Sequence, residues 1–146
     1  MKLKRGDIKM KIEEQVLSRE QMKHLQELGF DTSDASMAYY NISRDNQPDK
    51  WILGIANKEV ATVMLSNGLT EMEPTYTIGD LIEKLPLDVG DYGEFGRHIL
   101  IDGKYMEVGY ENGSDHCPCM YYNTPLLELL YNTLCWVAEN HKELIK

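Results

Sequence analysis

Cysteine, long apolar runs and positive charge are all scarce in this sequence, and each scarcity excludes a class of protein. Three cysteines in 146 residues are an odd number without the spacing of a disulfide scaffold, so we expect a reducing cytoplasm. No apolar run approaches the ~20 residues that a membrane-spanning helix needs, so we expect no membrane partner. The opening segment MKLKRGDIKM is charged and has no apolar stretch, so we expect no secretory signal there.

The shortage of basic residues gives the chain a formal net charge of −9, from 15 Lys and Arg against 24 Asp and Glu. Residues 1–11 carry five basic side chains and one acidic side chain, a net of +4, which leaves −13 for the remainder. A body this acidic repels phosphate backbones, so we expect no direct binding of nucleic acid. It permits a basic protein partner, although we favour the simpler explanation that the acidity keeps the protein soluble.

What is present is the composition of an ordinary globular domain, with 42% hydrophobic and 27% charged residues. We predict a basic N-terminal extension over residues 1–11, in which Met10 is an alternative start, and one domain over residues 12–146. A chain of this length buries roughly two-thirds of its unfolded surface on folding.

The most apolar helical pattern lies near the C-terminus, over Thr124–His141. Thr124 can cap this helix and Pro125 fits its first turn. Cys135 falls on the polar side of the pattern. The apolar side of the pattern holds Leu126, Leu130, Leu134, Val137 and His141. We predict that this helix is the core element onto which a sheet packs.

Two shorter helices are predicted from their capping signals. The first spans Ser18–Gly29, where Ser18 and Gln21 form a capping box and Gly29 suits a left-handed stop. The second spans Thr77–Leu85, where Thr77 and Asp80 form a similar pair.

Strands are predicted over residues 36–43, 50–56 and 60–65, with tight turns at Asn67-Gly68 and Asn112-Gly113. The segment LDVGDYGEFG is predicted to be irregular, and its glycines do not match a phosphate-binding loop. The resulting fold class is α+β, a mostly antiparallel sheet of hairpins packed with two or three helices.

The clearest hairpin spans residues 97–110 and turns at Asp102-Gly103. With these two residues as the loop, Ile101 lies opposite Lys104 and His98 lies opposite Glu107. This register predicts an exposed His98–Glu107 pair across the strands. An acid–base site is the less favoured interpretation, because no nucleophile accompanies the two side chains. The same register predicts that one face of the hairpin packs against the core, and this face carries Ile99, Ile101, Met106 and Val108.

The segment His116-Cys117-Pro118-Cys119 is the one stretch that looks like a chemical site. Two thiols and an imidazole can begin a soft-metal site. The gap between the two thiols is shorter than in a zinc knuckle, however, and no second cysteine pair follows.

A structural interpretation of the same cysteines follows from a two-residue hairpin at Asn112-Gly113. Cys117 then lies opposite Val108 and Cys119 opposite Met106, so both thiols join the core face, where free cysteine behaves as a small apolar residue. Pro118 then marks an edge strand. We favour this interpretation and keep a metal or redox role for Cys117 and Cys119 as the alternative.

Tyrosine is abundant, with nine residues beside two tryptophans. Both types are enriched in protein interfaces because they bury a large area and keep a polar group available. In the pair Tyr121-Tyr122, one side chain must face away from the core if the segment is a strand. Tyr121, Tyr122 and Trp136 are therefore the candidate interface residues, although we favour the alternative that these are ordinary half-buried aromatic residues.

Four segments follow one another in the order VLSREQMKHLQELGFDTSDAS, PTYTIGDLIEKLP, YMEVGYENG and TPLLELLYNTLCWVAEN. In this arrangement the chain resembles a group of small uncharacterised proteins from phages, prophages and mobile elements of gut anaerobic bacteria. The resemblance covers most of residues 15–140 and does not include the HCPC stretch. It implies a mobile-element accessory protein, and it supplies no catalytic or binding residues.

These observations favour a small cytoplasmic protein without enzymatic activity, which binds an unknown protein partner or forms a homodimer. We assign no catalytic, cofactor-binding or metal-ligating residue and expect no cofactor. The first alternative is an acidic decoy that mimics nucleic acid and occupies a host protein, which requires carboxylates aligned on one face. The second is the metal or redox protein built on Cys117 and Cys119.

Overall fold

A computed structural model describes residues 12–43, 46–56, 59, 62, 66, 71–113 and 116–145. It confirms an α+β fold with two antiparallel sheets and a long C-terminal helix. The fully described helices are α1 (Arg19–Glu27), α2 (Ile78–Lys84) and α3 (Leu126–Asn140). The strands are β1 (Met37–Asn41), β2 (Trp51–Ile55), β3 (Glu71–Thr75), β4 (Asp88–Val89), β5 (Phe95–Asp102), β6 (Tyr105–Glu111) and β7 (Cys119–Tyr122). None of the described helices is long and apolar enough to cross a membrane.

Helix α1 begins and ends as its sequence predicts. The Ser18 side chain accepts from the Gln21 amide, and the Gln21 side chain accepts from the Ser18 amide. At the other end Gly29 has φ +105°, and the amides of Gly29 and Phe30 donate to the carbonyls of Gln26 and Leu25. These two hydrogen bonds form a Schellman motif, which a glycine at this position makes possible.

Helix α2 begins with the predicted capping box of Thr77 and Asp80. Leu85 has an extended backbone conformation, which ends the helix just before Pro86. Arg97 of β5 then reaches this end and donates from Nη1 to the carbonyls of Ile82 (2.8 Å) and Leu85 (3.1 Å). A strand residue therefore satisfies carbonyls that the helix cannot satisfy itself.

Helix α3 is the core helix, but two details of its prediction are wrong. The capping position is Pro125, which accepts from the amides of Glu128 and Leu129, so Thr124 does not cap the helix. Cys135 is half-buried against the core rather than on a polar side. The fully buried side chains of α3 are Leu129, Leu130, Thr133, Leu134, Val137 and Ala138.

The first sheet has the strand order β2-β1-β3, with both pairings antiparallel. It confirms the strands predicted within residues 36–43 and 50–56. The strand predicted over residues 60–65 lies outside the described residues except at Thr62, which is helical, so the prediction is wrong there. The turn predicted at Asn67-Gly68 also lies outside the described residues.

The first sheet is joined to α1 by side chains from one of its faces. The hydroxyls of Tyr39 and Thr75 both donate to the carbonyl of Leu17 (3.0 and 2.7 Å). Arg19 donates two hydrogen bonds to the Glu73 carboxylate and lies 3.7 Å from the centre of the Trp51 ring. A guanidinium over an indole face is an attractive arrangement, so Arg19 links the start of α1 to both edges of the sheet.

The second sheet has the order β4-β5-β6-β7. The segment LDVGDYGEFG, predicted as irregular, contributes the short strand β4, one 3₁₀ turn at Asp91–Gly93 and the start of β5. The prediction of irregular structure is therefore wrong at both ends of this segment. β6 and β7 of this sheet pack against α3, and the buried cluster on that face includes Val108, Tyr110, Leu130 and Leu134.

The hairpin of β5 and β6 is confirmed, but its predicted register is wrong by two residues. Asp102 pairs with Tyr105, so the loop residues are Gly103 and Lys104. Gly103 has φ +59°, as in a turn with glycine at the first central position. A shift of two residues keeps every side chain on its predicted face. On the face assigned to the core, however, Ile101 lies beyond the helix and is 57% exposed.

The connection from β6 to β7 is longer than the two-residue turn predicted at Asn112-Gly113. Tyr110 pairs with Cys119, which places Cys117 outside the strand and exposed. The predicted core position of Cys117 is therefore wrong, whereas Cys119 is buried as predicted, opposite Tyr110 rather than Met106. Pro118 precedes β7, an edge strand of its sheet, as predicted.

Candidate functional site

The face of the second sheet that points away from α3 is the candidate site, and we call it the outer face. Strand alternation defines it, because residues that pair across β5, β6 and β7 share a face. Three of its apolar or aromatic side chains are exposed: Leu100 by 39%, Tyr105 by 42% and Tyr122 by 50%. The outer face includes His98 and Leu100 on β5, Tyr105, Glu107, Gly109 and Glu111 on β6, and Met120 and Tyr122 on β7.

Glu107 is at the centre of a hydrogen-bond network on the outer face. His98 Nε2 lies 2.8 Å from Glu107 Oε2, and the Tyr105 hydroxyl donates to the other oxygen, Oε1. His98 Nδ1 is also 3.7 Å from a carboxylate oxygen of Glu111. The predicted contact between His98 and Glu107 is present, but it runs diagonally, because His98 lies opposite Gly109 in the ladder.

These hydrogen bonds set the charge of the network. The hydroxyl of Tyr105 and then the His98 ring hold the pKa of Glu107 below its ordinary value, since both stabilise the carboxylate. The same bond to Glu107 raises the pKa of Tyr105. At neutral pH the outer face therefore presents an ionised Glu107 carboxylate and a protonated Tyr105 phenol.

Gly109 keeps the strands of the outer face close together. A Cβ built on this glycine lies 2.1 Å from the Cys119 carbonyl oxygen and 2.8 Å from the Met120 Cα, both backbone atoms of β7. No side chain fits at that position, so the ladder has none opposite His98. The backbone of β7 therefore lies directly against Gly109, which is buried between His98 and Met120.

The larger cavities lie away from the outer face. One of about 480 Å³ is lined by α1 and β3, including Arg19, Lys23 and Glu73. Another of about 690 Å³ is lined by Lys84, Leu87, Arg97 and the C-terminal segment. Since His98, Glu107 and Tyr105 line neither cavity, the described site is an open surface, which suits contact with another macromolecule.

The three residues predicted for an interface lie on two different surfaces. Tyr122 is on the outer face, whereas Tyr121 is half-buried on the opposite side of β7 against the core. Trp136 also packs on the core side, where its ring stacks on Tyr110 at 6.0 Å and tilts against His141 at 5.2 Å. The structure thus brings Tyr122 to the outer face and Tyr121 and Trp136 to the sheet–helix interface.

The HCPC stretch does not converge into a site. His116 is tilted against the Phe95 ring at 5.4 Å, Cys117 is exposed, and Cys119 is buried. Burial raises the pKa of the Cys119 thiol to about 12, so it stays protonated and weakly nucleophilic at neutral pH. In the part of the chain that the structure describes, no three His, Cys, Asp or Glu residues come together as a metal site.

The carboxylates of the described chain are spread over many elements. Each of the three helices contributes some, and both sheets contribute others. A decoy of nucleic acid requires carboxylates in rows on one face. The hypothesis of a decoy stays a prediction.

Tyr92 is a candidate binding residue that the sequence did not single out. It is fully exposed and has φ +58°, a left-handed conformation that is costly for a residue with a side chain. Gly90 and Gly93 flank it with φ +89° and +67° and make the tight turn feasible. The sequence feature that could have identified Tyr92 is an aromatic residue inside a G-x-x-G pattern. A strained, exposed tyrosine is typical of a position kept for contact rather than for stability.

Comparison of this chain with protein-family models, with curated proteins and with solved structures finds no match.

Proposed function

We propose that this protein has no enzymatic activity and acts by binding another protein through the outer face of its second sheet. The observation that carries the proposal is the combination of exposed Leu100, Tyr105 and Tyr122 with a hydrogen-bonded carboxylate at Glu107. Aromatic anchors beside ordered polar groups are the features that concentrate binding energy in protein interfaces.

The chemistry of the outer face indicates a partner with a basic or hydrogen-bond-donating surface. Glu107 is ionised and Glu111 lies beside His98, so the face favours arginine or lysine side chains on the partner. The overall net charge of −9 would speed encounter with such a partner at low ionic strength. The resemblance to phage and mobile-element proteins suggests that the partner is a host protein.

The test is affinity capture from a lysate of the bacterium that carries the gene, with wild-type protein and two variants as bait. Tyr122→Ser removes an anchor from the outer face, whereas Ile101→Ser removes an equally exposed apolar side chain from the opposite side of the same sheet. We expect the captured partner to be lost with Tyr122→Ser and kept with Ile101→Ser. Circular dichroism and thermal melting establish that both variants fold.

The proposal also predicts a charge effect on the same partner. Glu107→Gln keeps the size of the side chain and removes its charge, so capture should weaken and become less sensitive to salt. Equal capture by wild type, Tyr122→Ser and Glu107→Gln would show that binding uses another surface.

A further inference from the structure

We propose that the outer edge of β2 joins two copies of this chain by antiparallel strand pairing. The product is a continuous six-stranded sheet in the order β3-β1-β2-β2-β1-β3, built from two three-stranded sheets. This interface involves the first sheet and does not depend on the outer face of the second sheet.

The direction of the backbone groups of β2 follows from two hydrogen bonds. The Ile42 amide donates to the Lys50 carbonyl (2.8 Å) and the Ala56 amide donates to the Ser36 carbonyl (3.0 Å). In an antiparallel ladder, hydrogen-bonded pairs alternate with pairs that are not hydrogen-bonded. The even-numbered residues of β2 therefore bond to β1, and Trp51, Leu53 and Ile55 direct their amides and carbonyls to the other edge.

Within the described chain, no strand pairs with this edge. The Tyr40 ring crosses over Gly54, and its hydroxyl donates to the Ile55 carbonyl (2.6 Å). A carbonyl oxygen has a second lone pair, so this contact leaves Ile55 able to accept another hydrogen bond. The amides of Leu53 and Ile55 remain directed outward.

The two edges of the first sheet differ in their protection against pairing. β3 carries Glu71 and Glu73 and contains Pro74, a residue without an amide hydrogen. Charges and proline are the usual means by which edge strands avoid pairing with other chains. β2, with the sequence WILGI, has neither, and its Ile55 side chain is 62% exposed.

The chemistry of β2 favours a second copy of the same chain as the occupant. With a two-fold axis at Leu53, Trp51 of one copy lies opposite Ile55 of the other, an aromatic and β-branched pair that stabilises antiparallel strands. Ile52, 38% exposed, then lies opposite Gly54, over which the Tyr40 ring lies, so Ile52 of one copy faces the Tyr40 ring of the other. Because each copy carries a net charge of −9, an uncharged strand is where two copies approach with the least repulsion.

The dimer should be weak, because pairing along one short strand buries less than the roughly 1,200 Å² of a standard stable interface. Light scattering coupled to size exclusion, run from about 1 to about 500 µM, covers the expected range of dissociation constants. We expect the wild-type mass to rise from monomer to dimer across this range.

The decisive comparison is Ile55→Lys against Ile101→Lys. Both change an exposed strand isoleucine to lysine, on different sheets. Ile55 occurs twice in the two-fold interface, so Ile55→Lys should raise the dimer dissociation constant by more than about tenfold. Ile101→Lys should leave it unchanged. A dimer that survives Ile55→Lys, or that Ile101→Lys weakens equally, overturns the proposal.

Hydrogen exchange gives a second readout without any substitution. The amide of Leu53 points to the pairing edge, and that of Ile52 points to β1, so only Leu53 should gain protection as the concentration rises. A wild-type protein that stays monomeric with an unprotected Leu53 amide overturns the proposal. Binding of an extended foreign peptide at this edge, with no dimer at any concentration, also overturns it. Capture through Tyr122 is a separate measurement, so either proposal can fail alone.

Discussion

At the scale of single residues, Gly109 is the position where a side chain is least tolerated. In Gly109→Ala the added Cβ would meet the Cys119 carbonyl and the Met120 Cα at 2.1 and 2.8 Å, and backbone cannot move away cheaply. We expect a loss of about 2 kcal/mol or more in the free energy of unfolding, measured by urea denaturation.

Gly96→Ala is the matched control, since Gly96 lies on the same side of the sheet and its nearest atom would be 3.9 Å away. This substitution should change the free energy of unfolding by less than about 0.5 kcal/mol. Equal effects of the two alanines would show that the close approach of β7 to Gly109 is not what the position requires.

A substitution at Tyr92 is expected to stabilise the protein, in contrast to Gly109→Ala. Glycine adopts the left-handed conformation of position 92 without the steric cost that tyrosine has there, and the Tyr92 side chain is fully exposed. Tyr92→Gly should therefore raise the free energy of unfolding by about 1 kcal/mol, visible as a higher Tm. Tyr92→Phe keeps the strain and should leave Tm unchanged. A lower Tm for Tyr92→Gly would mean that the tyrosine contributes a stabilising contact.

At the scale of elements, the end of α2 depends on a residue from another strand. Arg97→Ala removes the donor to the carbonyls of Ile82 and Leu85 and leaves them without this partner. We expect thermal denaturation to show a loss of about 2 kcal/mol, the usual cost when a charged donor to half-buried groups is removed. Arg97→Lys keeps a positive charge near the negative end of the helix and should lose less. If Arg97→Ala left the free energy of unfolding unchanged, water would have to replace the guanidinium at both carbonyls.

The elements also show where local patterns are sufficient. The capping boxes at Ser18 and Thr77 and the stop at Gly29 join residues three to five positions apart, so their residue types predict them. The hairpin register is different, because both Asp102-Gly103 and Gly103-Lys104 are acceptable two-residue turns. The observed pairs, Arg97 with Tyr110 and Gly109 with Met120, select the turn at Gly103-Lys104. These pairs are contacts between different strands, so the turn sequence alone does not predict them.

At the scale of the whole molecule, the buried acids predict how stability depends on pH. Burial raises the pKa of Cys119 from 9.0 to about 12 and raises those of Tyr76 and Tyr110 above 10.0. Below about pH 8 these groups are protonated in both the folded and the unfolded chain and contribute no pH dependence. Above it the unfolded chain loses the protons first, so the free energy of unfolding falls as the pH rises towards 12.

Urea denaturation at pH 7, 9, 10 and 11 measures this dependence. We expect a small decrease in the free energy of unfolding from pH 7 to 9, where the unfolded Cys119 thiol begins to ionise, and a steeper decrease above pH 9. Cys119→Ala removes one of the titrating groups, so its decrease between pH 9 and 10 should be smaller than that of the wild type. A wild-type free energy that stays constant to pH 11 would contradict the burial of these three groups.

The sequence by itself determined the fold class, the three fully described helices and most of the described strands, because hydrophobic periodicity and capping residues act over a few neighbouring positions. It also predicted the contact between His98 and Glu107, although in a register two residues away from the observed one. Only the tertiary structure decided that Tyr121 and Trp136 face the core while Tyr122 is exposed beside the Glu107 network. The physical reason is that exposure depends on which strand lies opposite and which helix covers each face, and both are contacts between residues far apart in the chain.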